Sequence, residues 1–90
     1  MKPLFFALLK SFANNVGREA CRADVQAELK DVYGGYKAFK DKAFDEALMT
    51  ACSNGIIHEA RYELDEAGNL VIFYACTQEE ADVINSYIAD

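Results

Sequence analysis

Residues 39–57 constrain the fold most, because a predicted amphipathic helix there ends abruptly and is followed by a strand. Its apolar positions recur at helical spacing and are Phe44, Leu48, Ala51 and Cys52. The spacing predicts a helix over residues 41–54, with Asp41 as its N-cap. Gly55 is the expected left-handed residue that ends this helix, so that Ile56 can fold back on the last turn. Ile56 and Ile57 then begin a strand.

Two helices are predicted before this segment. The first covers residues 3–14, and its apolar positions span roughly 200° of the helix surface. The second covers residues 19–32 and ends at Gly34-Gly35. The apolar positions of the second helix are Val25, Leu29 and Val32. Residues 36–39 are expected to form a short helical turn that leads into the third helix.

From Ile56 onwards the apolar period changes to two, which predicts a β-hairpin. One face of its first strand carries Ile56, His58, Ala60, Tyr62 and Leu64, and the other carries Glu59, Arg61 and Glu63. Residues 65–69 form a glycine-containing loop, and residues 70–76 form an apolar strand that needs cover on both faces. A capping box at Thr77 and Glu80 begins a final helix. The apolar positions of that helix are Val83, Ile84, Tyr87 and Ile88.

The order of helices and strands predicts one α+β domain, mainly α, over residues 1–90. The net charge of −6 is unevenly distributed. Residues 1–44 carry eight Lys and Arg against five acidic residues, whereas residues 45–90 carry one Arg against ten acidic residues. An acidic chain is expected to attract nucleic acid weakly, because neutralisation of phosphates supplies most of the non-specific affinity. The basic residues of the first half are the exception to this expectation.

The three cysteines are an odd number and form no C-x-x-C pair; they are Cys21, Cys52 and Cys76. This spacing suits neither a disulfide framework nor a zinc site, and it indicates a reducing, cytoplasmic setting. The first apolar run, residues 4–9, is too short to span a bilayer, and no signal-peptide cleavage pattern follows it. We therefore expect no targeting segment and no membrane partner.

The sequence offers few groups for catalysis. His58 is the only histidine and falls on the apolar side of a predicted strand, which is typical of a structural residue. Gly34-Gly35 lacks the Lys-Ser/Thr that a phosphate-binding loop requires. The paired carboxylates of the third and fourth helices lie on predicted solvent faces. We therefore expect no enzyme activity, no metal and no cofactor.

Residues 20–74 resemble the winged-helix superfamily, without features that indicate one family within it. The resemblance is carried by residues 23–29 (Ala-Asp-Val-Gln-Ala-Glu-Leu), residues 44–48 (Phe-Asp-Glu-Ala-Leu) and residues 54–57 (Asn-Gly-Ile-Ile) with the hairpin behind them. It implies three helices, a β-hairpin wing and a C-terminal helix. It also implies that the third helix enters the major groove of double-stranded DNA and that the wing contacts the adjacent backbone or the minor groove.

Transferred by position, the resemblance implies a DNA-binding protein in a regulatory or replication-associated role. The candidate contacts are Arg22, Lys30, Lys37, Lys40, Lys42, Met49, Thr50, Ser53 and Arg61. The basic segment 30–42, with aromatic residues among its lysines, favours this interpretation. Asp45 and Glu46 oppose it, because they lie on the helix face that would enter the groove. The wing loop also lacks Lys and Arg.

The alternative is an acidic winged helix that binds a protein or a second copy of itself. The wide apolar side of the first helix predicts either burial on two sides or a homodimer contact through Phe6. Candidate dimer contacts are Phe5, Phe6, Leu9, Tyr87 and Ile88. A dimer would also allow two basic edges to face DNA while the acidic halves point away.

Overall fold

The computed structural model describes residues 2–89, which form four helices and one antiparallel hairpin. The order is α1 (Leu4–Ala13), α2 (Arg22–Tyr33), α3 (Asp41–Ser53), β1 (His58–Leu64), β2 (Leu70–Ala75) and α4 (Gln78–Tyr87). Helices contain about 51% of the residues and strands about 16%, so the predicted α+β class, mainly α, is confirmed.

The hydrophobic core is formed by the helices together with the base of the hairpin. α1 packs against α4 and α2, and α2 packs against α3. The largest fully buried side chains are Leu8, Phe12, Val25, Phe44, Leu48, Ile57 and Cys76. All four helices, the residue before β1 and the end of β2 therefore contribute to one apolar cluster.

The end of α3 is as predicted. Gly55 has a φ of +74°, and the Ile56 amide donates to the Ala51 carbonyl at 2.9 Å. The Gly55 amide donates to the Cys52 carbonyl at 3.0 Å, which completes a Schellman motif. The start of α3 differs from the prediction, because Lys40 is the N-cap and Asp41 is the first helical residue.

The start of α2 also differs from the prediction. Ala20 pairs with Tyr74 of β2 through two backbone hydrogen bonds of 2.8 and 2.9 Å, so the predicted first turn of this helix is extended chain. Cys21 is the N-cap, and its amide donates to the Asp24 carboxylate at 3.1 Å. At the other end of α2 the buried residue is Tyr33, whose hydroxyl donates to the Lys2 carbonyl at 2.7 Å.

Two details between α2 and α3 differ from the prediction. Val32, expected on the apolar side of α2, is more than half exposed, because the neighbouring Tyr33 takes the inward position. Residues 36–39 form a single turn, in which the Phe39 amide donates to the Tyr36 carbonyl at 3.0 Å, and no helix is assigned there.

The hairpin places fewer residues in the core than its alternating pattern predicts. Ala60 forms a bulge, because Glu59 pairs with Tyr74 while Arg61 pairs with the adjacent Phe73. Ile57, just before β1, is buried, whereas Tyr62 and Leu64 are 66% and 70% exposed.

Cover of β2 increases along the strand. Tyr74, Ala75 and Cys76 are buried, residues 71–73 are partly buried, and Leu70 is 58% exposed. The predicted cover on both faces of this strand is therefore wrong at Leu70 and only partial at residues 71–73. The loop between the strands is as predicted: the Asp65 carboxylate accepts from two loop amides, and Gly68 has a φ of +82°.

α4 begins with the predicted capping box. The Glu80 amide donates to the Thr77 hydroxyl at 3.1 Å, and the Thr77 amide donates to the Glu80 carboxylate at 2.8 Å. The buried residues of α4 are Ala81, Ile84 and the following Ile88. Val83 and Tyr87, predicted on the same apolar side, are exposed.

Candidate interaction surfaces

The outward side of α3 brings three predicted DNA contacts together. Met49, Thr50 and Ser53 line one shallow surface with Glu46 and Asn54. Four of these five side chains are uncharged, and the fifth is a carboxylate. Lys42 is exposed one turn before Glu46 on the same helix. This surface therefore presents a mixture of polar, apolar and acidic groups instead of a basic patch.

Arg22, another predicted phosphate contact, is held by carboxylates of α3. Its guanidinium lies 3.2 Å from Asp41 Oδ1 and 3.5 Å from Asp45 Oδ1, and it donates to Gln26 Oε1 at 2.9 Å. These contacts join the start of α2 to the start of α3. They also neutralise the one arginine beside the outward side of α3.

Arg61 lies on the other face of the hairpin. Its guanidinium stands 3.9 Å from the centre of the Phe73 ring and donates to Glu19 Oε1 at 2.6 Å, and it also pairs with Glu63. The hydrogen bond that Arg61 donates to the Glu19 carboxylate raises the pKa of Arg61 above its ordinary value. Because Phe73 and Ile72 project to opposite faces of β2, Arg61 is separated from Met49.

The remaining predicted contacts form the lysine edge, which we define as Lys30, Lys37, Lys40 and Lys42. All four side chains are exposed, and none forms an ion pair within the described part of the chain. Tyr33 and Tyr36, which lie between Lys30 and Lys37 in the sequence, pack edge to face with ring centres 4.9 Å apart. The lysine edge is thus the region of the predicted DNA site whose positive charge is free for a ligand.

A further surface is the α3–hairpin face, defined as Met49, Tyr62, Leu64 and Leu70, whose members the sequence analysis did not place together. Each of these apolar side chains is between 58% and 70% exposed. Tyr62 and Leu64 lie opposite Ile72 and Leu70 on one face of the sheet. Leu70, Ile72 and Met49 line a groove of about 460 Å³ between β2 and the helices. The alternation of apolar residues in β1 is the sequence signal for this surface, but the same alternation is typical of a strand that faces a core.

The predicted dimer contacts do not share one surface. Leu9 and Ile88 are buried in the core of their own chain, so the structure removes them from the candidate interface. Phe5 is partly buried and lines an apolar cleft of about 190 Å³ between α1 and α3. Phe6 and Tyr87 are exposed, at 41% and 85%.

His58 takes part in the start of α4. Its Nδ1 lies 2.8 Å from Glu80 Oε1, and the same oxygen accepts the hydrogen bond of the Thr77 amide.

Burial raises the pKa of the Cys76 thiol to about 11, so very little nucleophilic thiolate is present at neutral pH. Among residues 2–89, no group of three or more His, Cys, Asp and Glu side chains is arranged to hold a metal ion.

Comparison with known proteins gives no match: no family model, curated protein or solved structure is significantly similar to this chain. No helix within residues 2–89 has the length and apolar content needed to cross a membrane.

Proposed function

We propose that the protein is a winged-helix module that binds a partner protein through its α3–hairpin face. The winged-helix assignment is supported by the order of elements, three helices followed by a hairpin and a fourth helix. It is also supported by the passage from α3 through Gly55 towards β1.

The observation that carries the protein-binding proposal is the exposure of four large apolar side chains on α3 and the hairpin. Small proteins rarely leave neighbouring apolar side chains exposed unless the surface binds a partner. Met49, Leu64 and Leu70 supply aliphatic contacts, and Tyr62 adds an aromatic side chain of the type that is enriched at protein interfaces.

Charge on the same side of the molecule favours a protein over DNA as the ligand. Asp45 and Asp65 line the groove beside Leu70, and Glu46 lies beside Met49 on the outward side of α3. Arg22 is engaged by Asp41 and Asp45, so it offers little free charge to a phosphate. A partner with basic side chains around an apolar centre complements this surface.

Photo-crosslinking tests the proposal. Benzoylphenylalanine replaces Tyr62, which is exposed on the α3–hairpin face, or in a matched control Tyr87, which is exposed on α4. In cells that produce the protein, illumination is expected to yield a protein adduct from position 62 and not from position 87. Adding Met49→Glu to the Tyr62 variant should abolish the adduct. DNA adducts in place of protein adducts at position 62 would contradict the proposal.

The second candidate function is binding of double-stranded DNA through the lysine edge, in a regulatory or replication-associated role. It is favoured by the lack of ion pairs at Lys30, Lys37, Lys40 and Lys42 within the described residues. Affinity for mixed-sequence duplex should then fall steeply with salt. Changing Lys37, Lys40 and Lys42 together to Ala should lower the salt slope by about one for each lost phosphate contact. No binding at low salt would eliminate this candidate.

A homodimer is the third proposal for a partner, and it is supported by the exposure of Phe6 on α1. Sedimentation equilibrium of the wild type and of Phe6→Glu tests it, because a charge at an apolar contact should shift the mass towards that of one chain. Equal monomer masses for both proteins would exclude a dimer through Phe6.

A further inference from the structure

We propose that the free edge of β2, at Leu70 and Ile72, binds an extended basic segment of the partner protein as an added β-strand. This inference rests on the protein-binding function proposed above, and it specifies how the α3–hairpin face takes its partner.

The edge of β2 that faces away from β1 is paired only at its buried end. Tyr74 exchanges backbone hydrogen bonds of 2.8 and 2.9 Å with Ala20, and the Cys76 carbonyl accepts the Gly17 amide at 3.0 Å. The segment before α2 thus begins a third strand along β2 and pairs with it at alternate residues. A strand added at this edge would extend the pairing that Ala20 forms with Tyr74.

The rest of this edge is open. Backbone groups of alternate residues in a strand point to the same side, so those of Ile72 and Leu70 point the same way as those of Tyr74. The bulge lies in β1, and β2 keeps its alternation. Within residues 2–89 no segment continues the pairing beyond Ala20, because the chain enters α2. Two amides and two carbonyls are therefore available to an incoming strand.

A groove beside this edge provides space for the side chains of the added strand. Its volume is about 460 Å³, and its apolar lining includes Leu70, Ile72, Tyr74, Cys21, Ala23 and Met49. Every second side chain of an added strand would face the groove, whereas the others would face solvent. The groove therefore selects an extended segment with an apolar residue at alternate positions.

The charged groups around the groove indicate which residues of the added strand are favourable at its solvent-facing positions. Asp45 and Asp65 line the groove with Arg22, which is also held by Asp41 at 3.2 Å. Three carboxylates against one guanidinium leave a formal charge of −2. Lys or Arg at the alternate positions of the partner would complement this charge.

The same charge disfavours a second copy of the chain as the occupant. The strands and loop of its hairpin carry Glu59, Glu63, Asp65 and Glu66 against Arg61 as the only Lys or Arg. Bringing that hairpin to the groove would place like charges together, which destabilises cross-strand pairs. The occupant we infer is therefore a different, basic chain.

NMR with defined peptides tests the proposal. The probe is a blocked octapeptide of alternating Val and Lys, and its matched control alternates Val and Glu. The Val-Lys peptide is expected to slow hydrogen exchange of the Leu70 and Ile72 amides, because both become hydrogen-bonded. It should bind at least about tenfold more tightly than the Val-Glu peptide, because only lysine complements the carboxylates. Equal affinity of the two peptides would overturn the basic class of partner.

A pair of substitutions at Leu70 separates the backbone from the side chain. Leu70→Pro removes the amide that points to the open edge, and proline is tolerated at the first residue of a strand. Leu70→Ala also removes most of the leucine side chain, but it keeps the amide. The Val-Lys peptide should bind Leu70→Pro about five- to tenfold more weakly than Leu70→Ala. Slow hydrogen exchange of the Glu63 and Val71 amides, which belong to one cross-strand pair, would show that the hairpin is intact in both variants.

The outcomes distinguish this inference from the proposed function. A protein adduct at Tyr62 without slowed exchange at Leu70 and Ile72 would overturn strand addition and leave the protein-binding function in place. A lysine-rich amphipathic helical peptide that shifts Met49 and Tyr62 more strongly than the Val-Lys peptide would do the same. Absence of both the adduct and the slowed exchange would overturn both proposals.

Discussion

Two sets of apolar side chains, on α3 and on or next to the hairpin, have similar chemistry and opposite surroundings. The inner set is Leu48, Ala51, Ile57 and Cys76, and it is buried in the core. The outer set is the α3–hairpin face, every member of which is at least 58% exposed. Leu48 and Met49 are adjacent in sequence, yet they belong to different sets. Other elements of the chain cover the inner set, and nothing within residues 2–89 covers the outer set.

Apolar character does not by itself predict that a side chain lies in the core. The inner set is needed for folding, because its burial supplies free energy that opposes the loss of chain entropy. The outer set contributes little to folding, and its apolar surface becomes useful only when a partner covers it. Substitutions in the inner set should therefore change stability, whereas those in the outer set should change binding.

The largest expected effect comes from Leu48→Ala. Leu48 is 1% exposed, so its truncation leaves a cavity and should lower the free energy of unfolding by about 2–5 kcal/mol. Urea denaturation followed by circular dichroism measures this change. The matched control is Met49→Ala, which should stay within about 0.5 kcal/mol of the wild type. Equal losses for the two variants would mean that α3 does not divide into an inner and an outer side.

The second prediction concerns the thiol of Cys76. Burial raises its pKa from 9.0 to about 11, so the folded protein should contain about a hundredfold less Cys76 thiolate at pH 8 than the unfolded chain. Iodoacetamide should therefore react with Cys76 far more slowly in the folded state, as mass spectrometry can measure. Since the folded pKa is the higher one, this thiol favours folding fully below pH 9, and that contribution is lost as pH rises towards 11.

Cys52 is the internal control for that experiment, because it is partly exposed in the same molecule. It should be alkylated before Cys76 under native conditions. Equal rates at both thiols would show that the inner set is open to solvent.

The third prediction concerns the capping box that fixes α4 behind the inner set. Thr77→Ala removes the hydroxyl that accepts the Glu80 amide at 3.1 Å. The free energy of unfolding should fall by about 1 kcal/mol. The same substitution at Thr50, an exposed position inside α3, should be neutral or slightly stabilising, because alanine has the higher helix propensity. A loss at Thr50 as large as at Thr77 would contradict the capping role.

Local signals in the sequence predicted the parts of the fold that depend on few residues. Gly55 has to adopt a left-handed conformation to end α3, and the spacing of Thr77 and Glu80 identifies the capping box directly. The inward positions Phe44 and Leu48 follow from helical spacing in the same way. These features are determined within one or two helical turns, so a single sequence is sufficient to find them.

Features that depend on distant partners were not predictable from the same patterns. The pairing of Ala20 with Tyr74 joins segments far apart in sequence and removes the first predicted turn of α2. The carboxylates that neutralise Arg22 and Arg61 could be assigned only once α2, α3 and the hairpin were placed. The exposure of Tyr62 depends on how far the hairpin extends beyond the helices, which its alternating pattern does not indicate.

The smallest effect on stability is expected at the tip of the hairpin, from Tyr62→Thr combined with Leu64→Thr. Both side chains are more than half exposed, and threonine retains a preference for strands. The melting temperature should therefore change by less than about 4 °C, the shift that corresponds to 1 kcal/mol or less in a domain of this size.

Ile57→Thr is the matched control, because Ile57 is 1% exposed and belongs to the inner set. It should lower the melting temperature by considerably more, since it places a hydroxyl in an apolar site. If the double substitution at the tip were as destabilising as Ile57→Thr, Tyr62 and Leu64 would have to be covered by their own chain. The α3–hairpin face would then be part of the core, and it would offer no apolar surface to a protein partner.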